Sequence, residues 1–347
     1  MASPSNLKKL LHNALKQQYF SGYQLYLGHP GGDTLLVGGR KSFWGRSGVV
    51  QASTFFDIGS ITKVVLTTSI IARLVQKRKI NVDQTVGDFL PGLAAYKSLS
   101  IADLLSHSAG LVGWLPFFRE SQDPAEWLVR SSDRVIVLPP NRHTIYSDFG
   151  FILLGLMIRS FGSLSTLGTR EVFGPLRMTE TRFGPVPAGR VAATEFCLWR
   201  QRLLQGEVFD ENCFALGGRS GHAGLFSTAR GLARWCREWL LAGEGKSRWI
   251  SPETANLFTR RSHRVKGSTW ALGFDTKSKA FSSAGRYFSQ RSFGHLGYPG
   301  TSVWIDPERR AFAIFLTNRI HPSRWDERIK RLRPLLHDEV VRYWRSF

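Results

Sequence analysis

The longest apolar stretch in the chain is Phe149–Ile158, and no charged side chain interrupts it. It is apolar all around a helical wheel, so it predicts a central buried helix over Phe149–Arg159. It is about half of the ~18 residues a membrane span needs. Other segments are one-sided. Leu7, Leu10, Leu11, Ala14 and Leu15 share one helical face, with Asn6 or Ser5 as the cap. Val64, Val65, Ile70, Ile71, Leu74 and Val75 support a long helix from Ser60 to Gln76, where burial overrides the weak propensity of the β-branched residues. Ile101–Ser106 reads as a short helix, and Ala229–Leu241 as a helix capped by Ser227 or Thr228.

Strand patterns cluster near the two ends. Tyr23–Leu27 and Thr34–Val37 flank a His-Pro-Gly-Gly-Asp turn, and Phe55–Ile58 runs into Gly59-Ser60. Trp270–Asp275, Thr301–Ile305 and Ala311–Leu316 have strand composition, and the hairpin loop Asp306–Arg310 separates the last two. Residues 325–345 predict a final helix or helix pair interrupted near Pro334, and 173–225 a folded loop region suited to binding walls. The expected fold is α/β: an antiparallel sheet flanked by helices, with a mainly helical domain inserted. The expected sheet domain is 1–62 with 242–347, the helical domain is 63–241, and the active site lies in the cleft between them.

Composition narrows the function. The 347 residues are 42% hydrophobic and 21% charged, which describes a folded chain and not a disordered one. Lys and Arg number 47 against 26 Asp and Glu, a formal net charge of +21. The cations are scattered, and no zinc-finger spacing, RNP-like aromatic stretch or basic heptad region accompanies them. The expectation is a cationic surface that attracts anions, with no specific nucleic-acid binding. Cys197, Cys213 and Cys236 are too few and too widely spaced for a disulfide framework or a zinc site, so they predict buried thiols. No continuous apolar h-region or small-residue cleavage site opens the chain, so the expectation is a cytoplasmic protein, or one that begins after a removed leader.

Chemistry concentrates in three places. Ser60-Ile61-Thr62-Lys63 opens a helix after a strand and a Gly turn. Residues i and i+3 share a helical face, so the Lys63 amine can reach the Ser60 hydroxyl. A Ser hydroxyl needs such a base to become a nucleophile, and a helix N-terminus favours a developing oxyanion. A second S-x-x-K match, Ser5–Lys8, falls on the exposed face of the first helix. Tyr146-Ser147-Asp148 precedes the apolar helix; Tyr146 is a candidate base or relay if cationic neighbours lower its pKa, and Ser147 or Asp148 a helix cap. Finally, His295-Leu296-Gly297 runs straight into a predicted strand, unlike the other H-x-G copies at His29 and His222.

In this order the three elements resemble the serine β-lactamase and penicillin-binding-protein superfamily, in its class C β-lactamase-like branch of D-alanyl peptidases and serine esterases. Phe56–Lys63, Ile101–Leu111 and Gly221–Trp235 carry the flanking similarity, which spans nearly the whole chain. The resemblance implies a β-lactamase/transpeptidase-like fold and a serine hydrolase that forms an acyl-enzyme at Ser60. Lys63 and Tyr146 would manage the proton, and His295 would stand where the family's K-T-G motif has Lys. The backbone N–H groups of Ser60 and Tyr298 would form the oxyanion hole. No metal or organic cofactor is implied, and the substrate would be a small or cell-wall-like acyl compound. The alternative is a binding protein of the same fold with little or no catalysis.

Two departures from the family pattern bear on the substrate. Asp148 stands where many members have Asn; an ionised Asp cannot donate a hydrogen bond to a substrate carbonyl, and it is expected to pair with Lys63. Leu296 replaces the K-T-G Thr and its carboxylate-contacting hydroxyl. Both favour esters or amides without that carboxylate. Gly297 and His222 are further candidates for the substrate wall or its support; His222 reads equally well as a loop histidine with no catalytic role. His107 is expected to be structural, and Asp210-Glu211-Asn212 a solvated loop.

Overall fold

The computed structural model describes residues 4–346; Met1, Ala2, Ser3 and Phe347, the extreme ends of the expected sheet domain, lie outside them. The strands, in chain order, are β1 (Gly22–His29), β2 (Gly32–Gly39), β3 (Phe56–Asp57), β4 (Thr181–Phe183), β5 (Phe196–Cys197), β6 (Arg202–Leu203), β7 (Leu225–Ser227), β8 (Asp275–Thr276), β9 (Phe293–Leu296), β10 (Ser302–Asp306) and β11 (Ala311–Thr317). Six of them form one antiparallel sheet in the order β2-β1-β11-β10-β9-β8, so the two ends of the chain meet in its middle.

Side chains alternate across the sheet, as the pleat requires. Leu25, Leu27, Ala313 and Phe315 pack with Leu7 and Leu11 of the Ser5–Lys16 helix and with Leu332, Leu336 and Val340 of the Ile329–Trp344 helix. Tyr26, Phe312, Ile314 and Leu316 join the larger core, which includes the Ala229–Gly243 helix. Both faces are therefore buried, and β11 reads as an unbroken apolar run for that reason. The Asp148–Ile158 helix is buried nearly all round within the larger core. Among the described residues no single helix is long and apolar enough to cross a membrane.

Several expectations change in detail. Trp270–Asp275 is not a strand: Gly273, at φ +92°, turns the chain so that Trp270 bridges back to Asp275 and only Asp275–Thr276 joins the sheet. The Ser60–Gln76 segment contains a π-helical turn over Lys63–Thr68 before the Ser69–Gln76 α-helix, with Ser69 Oγ donating to Val64 O at 2.8 Å. Pro334 does not interrupt the last helix, which runs unbroken from Ile329 to Trp344. Packing of its buried face on the sheet outweighs the one backbone hydrogen bond that Pro removes. The 173–225 region holds β4 to β7 and a Glu211–Ala215 helix.

Candidate functional site

Ser60 reaches its position through a turn that only Gly59 serves well. Gly59 sits at φ +54°, and a Cβ there would lie 2.6 Å from Pro299 Cδ and 3.3 Å from Tyr298 N. The turn is thus pressed against the segment that leaves β9. Gly297 is as tightly enclosed, since a Cβ there would fall 2.4 Å from Ile58 O and 2.0 Å from Thr301 Oγ1. This close approach brings the amides of Ser60 and Tyr298 to one edge of a cavity of about 850 Å³. Among the described residues neither amide has a hydrogen-bond acceptor. Two free N–H groups beside a nucleophile are a ready oxyanion site.

Lys63 Nζ lies 2.8 Å from Ser60 Oγ, 2.6 Å from Asp148 Oδ1 and 3.2 Å from His222 O. The ammonium is fully buried, so it needs these partners. Burial pushes the Lys63 pKa down, but the charges and hydrogen bonds of Asp148 and Tyr146 outweigh it, and the net direction is up. His222 O is available because Gly155 and Gly221 let helix and loop touch; a Cβ on Gly221 would lie 2.2 Å from Phe151 O.

Tyr146 closes the group. Its ring centroid is 5.0 Å from Lys63 Nζ and 5.9 Å from the His295 ring, and its hydroxyl interacts with Ser60 and Lys63. Ring atoms are open to the cavity at 39% exposure, yet burial at the hydroxyl raises its pKa, and Lys63 offsets only part of that rise. Cationic neighbours therefore do not produce a lowered phenol. Lys63 is charged and Tyr146 neutral in the resting site.

His295 has the opposite character to a lysine. Its Nδ1 lies 2.7 Å from Leu296 O and must donate to it, which leaves Nε2 as an acceptor. Burial and then the Lys63 charge lower its pKa to about 3. The imidazole is neutral, and Nε2 has no partner among the described residues. His107 packs under Tyr146 and Trp270 with centroids 4.6 and 4.3 Å away, and its Nδ1 accepts the Ser147 N–H at 3.1 Å.

Comparison with known proteins fits this arrangement. A beta-lactamase family profile matches residues 14–336. The chain belongs to the beta-lactamase family. It is 31% identical over 316 residues to a Bacillus subtilis (strain 168) protein named N-acetylmuramyl-L-alanine amidase, covering 80% of this chain and 70% of that one. It is 29% identical over 304 residues to an Escherichia coli (strain K12) protein provisionally named D-alanyl-D-alanine carboxypeptidase, covering 77% and 70%. The structure of EstCE1, a hydrolase with promiscuous acyltransferase activity, superposes with a TM-score of 0.76 over 97% of both chains at 19% identity, which speaks to the fold. The chain is a serine hydrolase of this β-lactamase-like type.

Within this beta-lactamase-family cleft, Ser60, Tyr146, Asp148, His295, Gly297 and Tyr298 all line one cavity, with Lys63 beneath it. His222 does not line it. Ala223 forms that part of the wall, while the His222 ring turns inward to Asp210 at 3.0 Å and Ser220 at 2.7 Å. The Asp210–Asn212 segment is not solvated but buried, because Asp210 caps the Glu211–Ala215 helix through Cys213 N and binds His222. Ser5 and Lys8 are exposed and do not line the cavity that Ser60 lines. The three cysteines are buried and free.

Asp148, Asp210 and His222 bring ligand atoms within 4.8 Å of one another and could hold a cation; the Lys63 ammonium already meets Asp148 there. Glu195 and Glu211 of a second such group are bridged by the Arg324 guanidinium.

Sequence reasoning passed over Asp57. Its carboxylate accepts the N–H of Gly59 and of Phe209, both at 2.9 Å, and so ties the Ser60 turn to the opposite wall. The Phe209 ring stacks on Tyr298, 5.6 Å between centroids. Burial raises the Asp57 pKa to about 7 against the pull of those two amides. An Asp two residues before a Gly turn was its only signal. Trp114 and Trp270 on the cavity wall had none.

Proposed function

We propose that the protein hydrolyses esters or amides of small acyl groups through a covalent acyl-enzyme at Ser60. The observation that carries this reading is a Ser60 hydroxyl 2.8 Å from Lys63 Nζ and open to a cavity that two unpaired amides also face. Ser60 Oγ attacks the acyl carbon in the fraction of molecules whose Lys63–Tyr146 pair has first lost a proton to solvent, and that pair then takes up the Ser60 proton. The carbonyl oxygen becomes an oxyanion held by Ser60 N–H and Tyr298 N–H. Collapse breaks the bond to the alcohol or amine, which leaves with the proton. Water then repeats the sequence on the Ser60 ester and frees the acid.

His295 enters as a neutral acceptor, so it receives a hydrogen bond from a substrate N–H or O–H and carries no positive charge to a substrate anion. Relatives named for cell-wall amide cleavage support a cell-wall-like amide or ester as the natural substrate class. The test is intact-mass detection of an acyl adduct with a p-nitrophenyl ester, a D-amino-acid amide and a β-lactam. An adduct on the wild type that is missing from Ser60→Ala is expected. An adduct that persists in Ser60→Ala overturns the assignment.

A further inference from the structure

His107 stands where a histidine is unfavourable. The Ile101–Leu105 helix ends at Ser106, and His107 follows at φ +55°, in the left-handed region where Gly or Asn commonly closes a helix. The side chain is buried, and its Nε2 has no partner among the described residues. Nδ1 accepts a backbone N–H, so the proton of the neutral ring sits on that unpartnered Nε2. Both features destabilise a fold; Asn would relieve the first and Leu the second.

What the histidine does there is hold Tyr146 from both sides. Ile145 N–H donates to His107 O at 3.0 Å, and Ser147 N–H donates to His107 Nδ1 at 3.1 Å. The imidazole packs on the phenol that these two bonds flank, 4.6 Å between centroids, and meets Trp270 in a T-shaped contact at 4.3 Å. The residues that follow hang on the same loop: Ser147 Oγ donates to Val112 O at 2.7 Å and Asp148 N–H to Gly113 O at 3.0 Å. The 107–113 segment is thus a template for Tyr146-Ser147-Asp148, and His107 supplies the two bonds next to the phenol.

The template matters because the Tyr146 hydroxyl interacts with both Ser60 and Lys63. A ring displaced by about 1 Å would lose hydrogen-bond range to one of them. A neutral imidazole also suits the charge nearby. Burial, then Lys63 and His295, hold the His107 pKa well below its ordinary value, so Nδ1 stays an acceptor. A protonated ring could only donate, against the Ser147 N–H and close to the Lys63 ammonium.

We propose that His107 is a positioning residue for the proton transfer: by accepting the N–H groups on either side of Tyr146, it keeps the phenol hydroxyl against Ser60 and Lys63. This rests on the Ser60 acyl-enzyme reading and adds to it the group that sets the Tyr146 geometry.

The experiment compares His107→Asn with His107→Leu on a neutral p-nitrophenyl ester. The two side chains are close in size, but only Asn places an acceptor where Nδ1 lies. His107→Leu is expected to lower kcat by roughly tenfold to a hundredfold with KM within about twofold, because acylation and deacylation use the same proton route. His107→Asn should keep kcat within about threefold of wild type. In Tyr146→Phe, which has no hydroxyl to place, adding His107→Leu should cost less than about twofold more. A folded His107→Leu with wild-type kcat overturns the proposal, as does an Asn variant as slow as the Leu variant, or losses that multiply in the double variant. Should neither variant fold, ring nitrogen NMR of the wild type still decides. The neutral tautomer protonated at Nε2 is expected for His107 between about pH 6 and 8, and one protonated at Nδ1 overturns the proposal. An acyl adduct that persists in Ser60→Ala refutes the nucleophile instead, whatever the His107 variants do.

Discussion

The two walls of the cleft are built on opposite principles. On the helix wall, the side chains of Lys63, Asp148, Tyr146 and Ser60 satisfy one another, and the one buried ammonium is neutralised within 2.6 Å. On the strand wall, the Tyr298 amide and His295 Nε2 have no hydrogen-bond partner among the described residues. The first wall is closed because proton transfer needs fixed short distances. The second is open, and on the proposed mechanism its partners arrive with the substrate. Unfilled hydrogen-bonding capacity beside a cavity is a better pointer to ligand contact than conspicuous chemistry.

The sharpest break in the comparison is to remove the nucleophile from the closed wall. Ser60→Ala is expected to lower kcat/KM for activated esters by at least roughly a thousandfold, with the thermal midpoint nearly unchanged since Ser60 is only half-buried. Retained turnover in steady-state assays would refute it. The matching break on the open wall is Gly297→Ala. A methyl 2.0 Å from Thr301 Oγ1 and 2.4 Å from Ile58 O must push β9 away from the Ser60 turn and spread the two amides apart. Loss of one oxyanion donor costs roughly a hundredfold to a thousandfold in kcat. A variant with kcat within about twofold of wild type would mean that these amides do not hold the oxyanion.

The helix wall was the more legible from sequence. The i, i+3 spacing predicts the Ser60–Lys63 contact, and the missing Asn predicts that Asp148 turns to Lys63; both contacts are short in the structure. Adjacent residues on one helix, or a helix cap, carry their geometry with them. Strands β1, β10 and β11 and the apolar helix were equally plain, because their burial repeats along the chain. Asp210 and Asp57 were not. Each acquires its meaning from a partner that the fold brings to it, His222 for one and Phe209 for the other, and no local pattern records that. The Tyr146 pKa failed for the same reason: the nearby cation was foreseen, but the burial that outweighs it was not.

Charge balance on the closed wall can be tested by stability. Asp148→Asn leaves the buried Lys63 ammonium without its counter-ion and is expected to cost about 3 kcal/mol in urea unfolding. Adding Lys63→Met should recover part of that loss, since removing both charges removes the mismatch. Additive losses would show that the pair is not coupled.

The smallest effect separates the walls by pH. Activation of Ser60 needs Lys63 or Tyr146 in its basic form, and both pKa values are raised above their ordinary values of 10.5 and 10.0. Below those values the basic fraction grows about tenfold per pH unit, so kcat/KM for a neutral ester should climb through the neutral and mildly alkaline range. His295, lowered to about 3, should add no inflection near its ordinary value of 6.5. A flat profile would point to Asp148 taking the Lys63 proton as Lys63 takes that of Ser60, a transfer with no net proton loss. An inflection between about pH 6 and 7 that persists in Asp57→Asn, whose carboxyl is itself raised to about 7, would instead make an imidazole the base, and with it move the proton chemistry from the closed wall to the open one.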